Sequence, residues 1–435
     1  MIRFVYNLFW PIGLLFFLPG YFVKMARRGG YREKFGQRVG IYDRDLRGRL
    51  SKQKSMWLHA VSVGEVNIAL KLAHALRSLE PGLHCVLTTT TTTGFALANK
   101  NAPPWVEVMY TPLDYWPVMR RAFSVIRPTR IVLVEAEVWP NLVALAHECR
   151  IPTILVNARL SPRSERRFRR FRFFVGPTFR LLDLVCAQET QDVDRWVAIG
   201  VGPDRIRAVG SIKYDPNGGD QGLQAQEDVQ HAGFNRADRQ RPVLFGGSTH
   251  RGEEEILATI FLRLREQFPS LRLFIAPRHV ERLREIRAQL AALPMRLTLA
   301  SEVIRQLPDE SDADCIVLDT TGELQRWYAI ATIVFMGKSL TARGGQNPVE
   351  PIMAGKAVVF GPHMENFASL AKALVSKKGA IQVHDVDSLE RTIADLLRDS
   401  EARERFVQSA REVLSEHQGA TARTAALIHE LSPGL

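Results

Sequence analysis

Residues 56–78 read MWLHAVSVGEVNIALKLAHALRS, and this stretch sets the fold class of the chain. Its first five residues form a short apolar run typical of a buried strand, while residues 65–78 carry apolar side chains at helical spacing. Gly64 permits a tight turn between the two elements. A continuous apolar strand followed by a helix is the repeating unit of a parallel sheet covered on both faces. We therefore expect Glu65 in the first turn of that helix, beyond the carboxyl end of the strand.

The same alternation extends along most of the chain. In the first half, further strands are predicted at 84–88, 106–110, 130–134, 153–157, 184–188 and 206–210, with helices at 115–126, 140–148 and 189–198. In the second half, strands are predicted at 242–247, 271–276, 315–319, 332–337 and 357–361, with helices at 252–268 and 279–291 and a helical tail over 399–432. Two such series predict two doubly wound α/β domains.

A linker separates the two series. Residues 214–241 contain DPNGGDQG and many polar residues, with no sustained apolar strand. This places a first domain over residues 24–213 and a second over residues 242–435. Two doubly wound domains in tandem predict a cleft between them, with ligands bound beyond the carboxyl ends of the strands.

The amino-terminal residues predict a membrane anchor. Residues 4–23 are apolar apart from Asn7, and about 20 apolar residues are needed to cross a bilayer core. A cleaved signal peptide is the competing interpretation, but its charged region should precede the apolar run. Here the basic residues follow it and favour a cytoplasmic position for the rest of the chain. We predict an uncleaved anchor over residues 1–23, followed by the basic residues Lys24, Arg27, Arg28, Arg32 and Lys34.

The composition limits the kinds of binding partner that the protein is expected to have. The chain has 435 residues and a net charge of +12, which favours a nucleic acid, an anionic membrane surface or a phosphorylated substrate as partner. The cysteines are widely spaced and predict free thiols in a reducing compartment, not disulfides or a zinc site. They are Cys85, Cys149, Cys186 and Cys315.

Residues 157–174, NARLSPRSERRFRRFRFF, interleave arginines with aromatic residues. A solvated basic helix is one interpretation of this segment. A face that meets anionic headgroups or a phosphorylated lipid is another. RNA binding can use the same composition, but no RRM, KH or zinc pattern accompanies it.

Candidate chemistry in the first half lies where strands end. Glu65 complements the helix dipole, and the dipole keeps its carboxylate ionised, as a proton-accepting base requires. The threonine run TTTTTTG (88–94) either caps the next helix or donates hydroxyl groups to a phosphate or sugar. In EAEVWPN (135–141), Glu135 and Glu137 either hold sugar hydroxyls, position a basic residue, or form a structural salt bridge.

Two segments of the second half predict phosphate binding. GSTHRGEEE (247–255) places small and hydroxyl residues before a helix whose N-terminus can receive a phosphate. PRH (277–279) places Arg278 and His279 at the end of the next strand, and a guanidinium group suits a phosphate.

A third segment, GKSLTARGGQNPVEP (337–351), favours two roles at once. Asn347, Pro348 and Glu350 fit the N-cap, N1 and N3 positions of a helix. The glycine pair at 344–345 also allows a ligand to approach that helix end closely. Its N–H groups would then stabilise a departing phosphate, and Glu350 would bind ribose hydroxyls. Capping and ligand binding both remain open.

Several enzyme classes are disfavoured. The chain has no GxxxxGK[ST] motif and no GxGxxG after the first strand, which argues against ATP hydrolysis and a nicotinamide cofactor. The alternating acids in QDVD (191–194) and DAD (312–314) lie in polar contexts and are interpreted as surface residues. A metal-dependent transferase is therefore disfavoured.

Taken together, the segments resemble the 3-deoxy-D-manno-octulosonic acid (Kdo) transferase family. Each match is weak alone, but the matches occur in order over residues 60–370, behind an N-terminal apolar segment. They are SVGE (62–65), TTTTTTG, EAEVWPN, NARLSPRS, GSIKYD (210–215), GSTHRGEEE, APRH (276–279), DTTGELQRWY (319–328), GGQNPVEP (344–351) and GPHMENF (361–367).

The resemblance implies a GT-B fold, two Rossmann-like domains with the active site between them. It implies transfer of Kdo from CMP-Kdo to a lipid A precursor by an inverting, metal-independent glycosyltransferase of lipopolysaccharide synthesis. The enzyme would be anchored at the cytoplasmic face of the inner membrane, with no cofactor and no nucleic-acid partner. Glu65 would be the general base, and Arg278, Asn347 and Glu350 would belong to the CMP side.

The remaining candidates follow from the same strand-end positions. On the acceptor or sugar side they are Thr91, Glu135, Glu137 and Arg159. On the CMP side they are Ser248, Thr249, His279, Gly337, Lys338 and Gly345. The sequence departs from the family pattern twice. Ala136 replaces a threonine, and Lys338 stands where a glycine is common, which leaves the role of Lys338 open.

Two rival functions remain. One is a GT-B transferase or epimerase that uses a UDP-sugar, and nucleotide preference would separate it from a CMP-dependent enzyme. The other is a basic, membrane-tethered module that binds RNA or anionic lipid. That module predicts strongly salt-dependent binding that survives loss of Glu65.

Overall fold

A computed structural model describes residues 3–10, 34–160, 162–215, 241–305, 313–320 and 324–431. The chain divides into two compact units. The first comprises Met1–Asp215 together with Gly419–Leu435, and the second comprises Pro216–Gln418. Each unit is a parallel sheet flanked by helices, as the sequence predicts.

Within the described ranges, the first sheet has seven strands in the order β3-β2-β1-β4-β5-β6-β7. All pairings are parallel. The strand order reverses between β1 and β4, and the carboxyl edge at such a reversal is the usual ligand position in doubly wound sheets. The strands are β1 Ser55–His59, β2 Cys85–Thr89, β3 Val106–Tyr110, β4 Pro128–Val134, β5 Thr153–Ala158, β6 Leu184–Ala187 and β7 Ile206–Ala208.

The helices of the first unit cover the sheet, and all but α1 come after β1 in the chain. Successive residues of β1 are buried on opposite faces of the sheet. Met56 and Leu58 belong to one buried cluster, while Trp57 belongs to the other. This confirms a sheet covered on both faces. The helices are α1 Arg44–Ser51, α2 Val63–Leu79, α3 Thr92–Asn101, α4 Trp116–Ile126, α5 Pro140–Glu148, α6 Pro162–Arg170, α7 Arg172–Phe179 and α8 Thr190–Ile199.

The second sheet repeats the design. Its described strands run in the order β10-β11-β9-β8-β12-β13-β14, all parallel, and the order reverses between β8 and β12. The strands are β8 Val243–Thr249, β9 Arg272–Pro277, β10 Leu297–Leu299, β11 Cys315–Val317, β12 Ile333–Met336, β13 Ala357–Phe360 and β14 Ile381–Gln382. The sequence did not predict β10 and β14, because three- and two-residue strands are too short to show a pattern.

On one face of this sheet lies a large buried cluster, to which Leu244, Phe335 and Val359 contribute from three neighbouring strands. The helices of this unit are α9 Glu253–Arg265, α10 Leu283–Leu290, α11 Ala300–Arg305, α12 Leu324–Tyr328, α13 Val349–Met353, α14 Ala368–Ser376, α15 Val386–Arg398 and α16 Ser400–Ser415.

The carboxyl-terminal tail differs from the prediction. Gly419, with φ of 75°, breaks the tail into α16 and a last helix, α17 Ala420–Glu430. The last helix packs on α2, and its Ala425 and Ile428 join the core of the first unit. The predicted boundary, which kept all of residues 242–435 in the second domain, is therefore corrected for residues 419–435. Most of the predicted linker, residues 214–241, lies outside the described residues.

The predicted anchor is described only over residues 3–10, which are helical. Asn7 accepts the backbone N–H of Trp116 and exchanges hydrogen bonds with Asn141, so its side chain faces the first unit. Phe4, Leu8 and Phe9 stay exposed. Among the described residues, no helix has the length and apolar character needed to cross a bilayer. Residues 11–23 of the predicted anchor lie outside the described residues.

Candidate active site

Glu65 stands where the sequence predicts, at the third position of α2 and only 8% exposed. Its Oε2 accepts the backbone N–H of Val61 at 2.8 Å, and its Oε1 accepts the hydroxyl of Ser62 at 2.7 Å. Ser62 is the N-cap, and its oxygen accepts the N–H of Glu65 at 3.4 Å. The carboxylate is therefore held by two donors, and the remaining lone pairs can accept a further proton donor.

Glu135 and Glu137 lie close enough to Glu65 to interact with it electrostatically. Burial raises the pKa of Glu137 to about 7, with further contributions from the charges of Glu65 and Glu135. Burial also raises the pKa of Glu135, and the nearby charge of Glu65 adds to the effect. Three carboxyl groups thus meet at the carboxyl edge of β1 and β4, and Glu137 is able to hold a proton near neutral pH.

Basic residues join this acidic cluster. Lys213 and Arg159 both lower the pKa of Glu135 through their charges. Burial lowers the pKa of Lys213, an effect that the charge of Glu135 opposes. Lys213 was not among the site residues predicted from the sequence. Its signal was the match GSIKYD, which follows β7 as the other motifs follow their strands.

The segment that carries Lys213 is held on two sides. Asn157, fully buried with φ of 51°, accepts the hydroxyl of Ser211 at 3.1 Å and the N–H of Ile212 at 3.0 Å. The carboxylate of Asp215 accepts the N–H groups of Gly419 and Thr421, each at 2.8 Å. The last helix of the chain therefore fixes a loop of the acidic cluster.

The backbone at Glu135 is also specialised. Its φ of 64° is left-handed, a conformation that costs a non-glycine residue roughly 1–3 kcal/mol and tends to mark functional positions. Its N–H still donates to the carbonyl of Val156 at 2.9 Å, which ties the turn to β5.

Thr91 has a capping role. Its hydroxyl accepts the N–H of Gly94 at 3.0 Å and donates to the carbonyl of Val61 at 3.1 Å. The second bond links it to the residue that donates to Glu65. Thr91 therefore positions the turn that holds Glu65, and its hydrogen-bonding capacity is largely used by the protein itself.

The arginine-rich segment forms two helices, α6 and α7, in place of one. Its aromatic residues divide into two sets. Phe168 packs against the buried Phe179, whereas Phe171, Phe173 and Phe174 are exposed, with Phe173 at 70%. Exposed aromatic and basic side chains therefore occur together on this surface.

In the second unit, the end of β8 and the loop after β12 pack backbone against backbone. Gly337 donates its N–H to the carbonyl of Gly247 at 2.8 Å, and a Cβ on Gly337 would collide with the main chain of Ser248 and Thr249. Ser248 and Lys338, on the two sides of this contact, have left-handed φ values of 52° and 56°. Glycine is therefore required at 337, and both neighbours are held in strained backbone conformations.

Two of the three acids of GSTHRGEEE, Glu253 and Glu254, are buried and accept hydrogen bonds from the protein. Glu254, fully buried, accepts the hydroxyl of Thr249 at 3.0 Å and a guanidinium N–H of Arg282 at 2.9 Å. Glu253, also fully buried, accepts backbone N–H groups, including that of His250 at 2.8 Å. The start of α9 therefore carries two internal carboxylates beside the phosphate position that the sequence predicts.

A group of basic side chains lies at the same edge. His250 and His279 have ring centroids 5.9 Å apart. Burial lowers the pKa of His250, and the nearby charges of Lys338, His279 and Arg282 lower it further. Arg278 is exposed and close enough to Glu350 to lower its pKa, against the effect of burial. The edge can therefore attract an anion.

Asn347 and Glu350 are brought together, with one correction. The helix begins at Val349, and the carbonyl of Pro348 accepts the first helical N–H, from Ile352 at 3.3 Å. Pro348 is thus the N-cap, so the predicted positions of Asn347, Pro348 and Glu350 were each wrong by one residue. Asn347 still accepts the N–H of Val349 at 3.1 Å and donates to Glu350 at 3.5 Å.

The glycine pair turns as predicted but is also packed from one side. Gly344 and Gly345 have φ values of 123° and 70°. Gly344 donates its N–H to Glu365 at 2.7 Å, and a Cβ on Gly345 would collide with Met364. The turn is therefore fixed by the GPHMENF segment.

Within the described part of the chain, no group of three or more His, Cys, Asp or Glu side chains is arranged to hold a metal ion. The four cysteines are free thiols, as predicted, and Cys85, Cys186 and Cys315 are buried.

The fold is shared with solved structures of low sequence identity. A putative UDP-N-acetylglucosamine 2-epimerase from Listeria monocytogenes aligns with a TM-score of 0.55 at 13% identity, over 88% of this chain and 98% of that chain. The glycosyltransferase of kitacinnamycin aligns with a TM-score of 0.52 at 15% identity, over 87% of this chain and 99% of that chain. The protein has a GT-B-like α/β fold with two parallel sheets.

Sequence similarity defines the family. The family model for 3-deoxy-D-manno-octulosonic-acid transferase (kdotransferase) matches residues 33–216. A 3-deoxy-D-manno-octulosonic acid transferase from Haemophilus influenzae is 32% identical over 92% of this chain and 91% of its own length. Another, from Bordetella pertussis, is 32% identical over 85% of each chain. This chain belongs to the Kdo transferase family of glycosyltransferases.

Proposed function

We propose that this protein transfers Kdo from CMP-Kdo to a lipid A precursor, with inversion at the anomeric carbon and without a metal ion. The observation that carries the proposal is the contrast between an acidic edge, built around Glu65 in the first unit, and a basic edge, built around Lys338 and Arg278 in the second. An acidic edge suits proton abstraction, and a basic edge suits a phosphate leaving group.

On the acceptor side, Glu65 is the general base. A glycosyl transfer to an alcohol forms a bond from the acceptor oxygen to the anomeric carbon while the proton of that hydroxyl leaves. The donors Val61 N–H and Ser62 Oγ–H hold the carboxylate in place. Glu137, whose pKa is raised to about 7, is suited to donate a hydrogen bond to a sugar oxygen in its protonated state.

On the donor side, the leaving group is CMP, which already carries a single phosphate. Its departure requires positive charge and N–H donors. Lys338 and Arg278 supply the charge. His279, in the loop after β9, and Ser248, at the end of β8, add a ring N–H and a hydroxyl group. Because these groups neutralise the developing charge, the proposal needs no metal ion.

Glu350 and Asn347 bind the ribose of the nucleotide in this scheme. Burial raises the pKa of Glu350, while the hydrogen bond from Asn347 and the charge of Arg278 lower it. A carboxylate held in this way accepts hydrogen bonds from two neighbouring hydroxyl groups. The same pair starts α13, so ligand binding and helix initiation are combined.

We also place the enzyme at the cytoplasmic face of the inner membrane. Exposed Phe4, Leu8 and Phe9 on the first helix, and exposed Phe173 and Phe174 among the arginines, supply apolar groups for the interface. The arginines add attraction to anionic headgroups. The net charge of +12 is then explained by a lipid surface, without a nucleic-acid partner.

The test is a transfer reaction with detergent-purified protein, CMP-Kdo and a tetraacylated lipid A precursor, with the lipid product measured by mass spectrometry. We expect the lipid to gain the mass of Kdo, and the increment gives the number of sugars added. Binding of CMP, UMP and UDP is measured on the same preparation. An unchanged lipid with intact CMP binding would show that the acceptor is wrong. Preference for UMP or UDP would favour an enzyme that uses a UDP-sugar.

A further inference from the structure

Glu253 has an unusual set of partners for a buried carboxylate. It is fully buried at the start of α9, and its described hydrogen-bond partners are all backbone amides. Oε2 accepts the N–H groups of Lys338 at 2.7 Å and His250 at 2.8 Å. Oε1 accepts those of Ser339 and Leu340, both at 3.1 Å.

Three of these donors are consecutive residues, 338–340. Successive backbone N–H groups around a left-handed residue form a concave nest that binds anions, and Lys338 has the left-handed φ of 56°. In this protein the nest is filled by a side chain of the protein itself. A buried carboxylate is costly unless its charge is met by such donors, so the nest and Glu253 stabilise each other.

The nest also determines where Lys338 points. The carbonyl of Lys338 accepts the N–H of Gly345 at 2.9 Å, and its side chain lies along Gly344, with Nζ 3.5 Å from the position of a Cβ there. The backbone of Lys338 is therefore fixed from both directions, by Glu253 at its N–H and by the glycine turn at its carbonyl. Its ammonium group is directed along the predicted phosphate-binding turn.

We infer that Glu253 is a positioning residue for the donor site: its carboxylate fills the nest formed by the amides of residues 338–340 and so holds Lys338 toward the donor phosphate. The inference builds on the proposed use of CMP-Kdo. It also excludes the amides of residues 338–340 as phosphate ligands, because Glu253 already occupies them. The phosphate must then be bound by other groups at this edge, among them the side chain of Lys338.

The principal test is Glu253→Gln, with Glu255→Gln as the matched control. The side-chain amide nitrogen that this substitution introduces would face N–H donors, so the 338–340 loop should move. Glu255 lies in the same helical turn but is exposed. We expect Glu253→Gln to weaken CMP binding and raise the KM for CMP-Kdo about tenfold or more, with a much smaller change in kcat. The control should match the wild type in both.

Two further variants separate positioning from general destabilisation. Glu253→Ala empties the nest, and added formate should restore CMP affinity because formate supplies the missing carboxylate. In a Lys338→Met background, Glu253→Gln should weaken CMP binding no further, because its effect passes through Lys338. Circular dichroism and thermal unfolding report whether each variant is folded. If Glu253→Gln does not fold, Glu253→Asp, which keeps the charge but withdraws it from the loop, takes its place.

The outcomes are distinct. If wild-type protein binds no CMP, the proposed function fails and the inference fails with it. If the wild type binds CMP and a folded Glu253 variant binds it equally well, the inference alone is overturned. Loss of CMP affinity that is additive with Lys338→Met, and that formate does not restore, would also overturn it.

Discussion

The two units share one architecture but use their acids in opposite ways. At the edge of the first sheet, the charge of Glu65 raises the pKa of both Glu135 and Glu137, in addition to the effect of burial. At the edge of the second sheet, Glu253 accepts hydrogen bonds from backbone amides. Glu254 accepts them from Arg282 and Thr249. Acids of the first edge are therefore available for proton chemistry, whereas these two acids of the second edge are structural.

The difference shows that residue type alone does not define a site. Both edges lie at a reversal of strand order, and both carry non-glycine residues with left-handed φ, Glu135 in the first unit and Lys338 in the second. Function follows from which charges remain uncompensated by the protein. By this criterion the first edge is acidic and the second edge is basic, although each contains both kinds of residue.

The largest expected effect is at the acidic edge. Glu65→Gln keeps the shape of the side chain, and the amide can still pair with Val61 and Ser62. It removes the base, so we expect kcat to fall by about 10²–10⁴-fold, with CMP affinity unchanged. Steady-state transfer rates and CMP titration measure the two quantities.

Glu107→Gln serves as the control for this variant. Glu107 lies on β3 and pairs with Arg49 of α1, outside the proposed site, so its loss should leave kcat unchanged. If Glu65→Gln has the kcat of the wild type, Glu65 is not the general base. The proposed catalytic difference between the acidic edge and the basic edge would then be wrong.

The next largest effect is expected for Lys338→Gly at the basic edge, which should lower CMP affinity without lowering the stability of the fold. Lys338→Gly removes an ammonium group, so CMP affinity should fall about tenfold. It also relieves a left-handed φ of 56°, which offsets the entropy cost of glycine, so stability should change by less than about 1 kcal/mol or increase. Calorimetric titration and urea unfolding measure the two effects.

Lys378→Gly provides a close control. Lys378 is exposed and has a φ of 55°, so the backbone effect should be similar and CMP affinity should not change. If both variants reduce CMP affinity equally, the loss at 338 reflects the backbone and not the charge.

A smaller effect concerns the pH dependence of stability. Burial and neighbouring acids raise the pKa of Glu137 from 4.5 to about 7. A raised carboxyl pKa contributes stability that is complete below about pH 4.5 and is lost as the pH rises through about 7. Glu137→Gln should therefore become more stable than the wild type by about 1–3 kcal/mol above pH 7, and should differ little at pH 4.5.

Urea unfolding at several pH values tests this expectation, with Glu404→Gln, an exposed carboxyl on α16, as the control. A difference between Glu137→Gln and wild type that does not change with pH would contradict it. The three acids would then not be coupled, and the contrast between the two edges would weaken.

The sequence was sufficient for the features that depend on local pattern. Strand and helix positions followed from periodicity, and Glu65, Glu135 and Lys338 were placed at strand ends because a parallel sheet gathers those ends on one edge. The three-residue strand β10 and the two-residue strand β14 carried too little pattern to be found. The N-cap was placed at Asn347 because asparagine is a strong capping residue, whereas the hydrogen bonds place it at Pro348.

The features that sequence could not supply depend on contacts between distant segments. Glu253 appeared as one of three acids in a first helical turn, and only the fold brings it to the amides of residues 338–340. Lys213 appeared as one lysine of a strand-end motif, and only the fold brings it to Glu135. The return of α17 to the first unit likewise depends on Asp215, whose carboxylate caps it.

The smallest expected effect concerns Thr249, which was predicted from sequence to bind the donor. Its hydroxyl donates to Glu254 at 3.0 Å, in a fully buried position. Thr249→Val removes one donor from a buried carboxylate that keeps Arg282, so stability should fall by about 1–2 kcal/mol. CMP affinity should change by less than about threefold. Thr249→Ser, which keeps the hydroxyl, should restore the stability.

If Thr249→Val instead weakens CMP binding strongly while stability is preserved, the hydroxyl serves the ligand and not Glu254. The acids of the second edge would then be less fully satisfied by the protein than the comparison of the two edges requires.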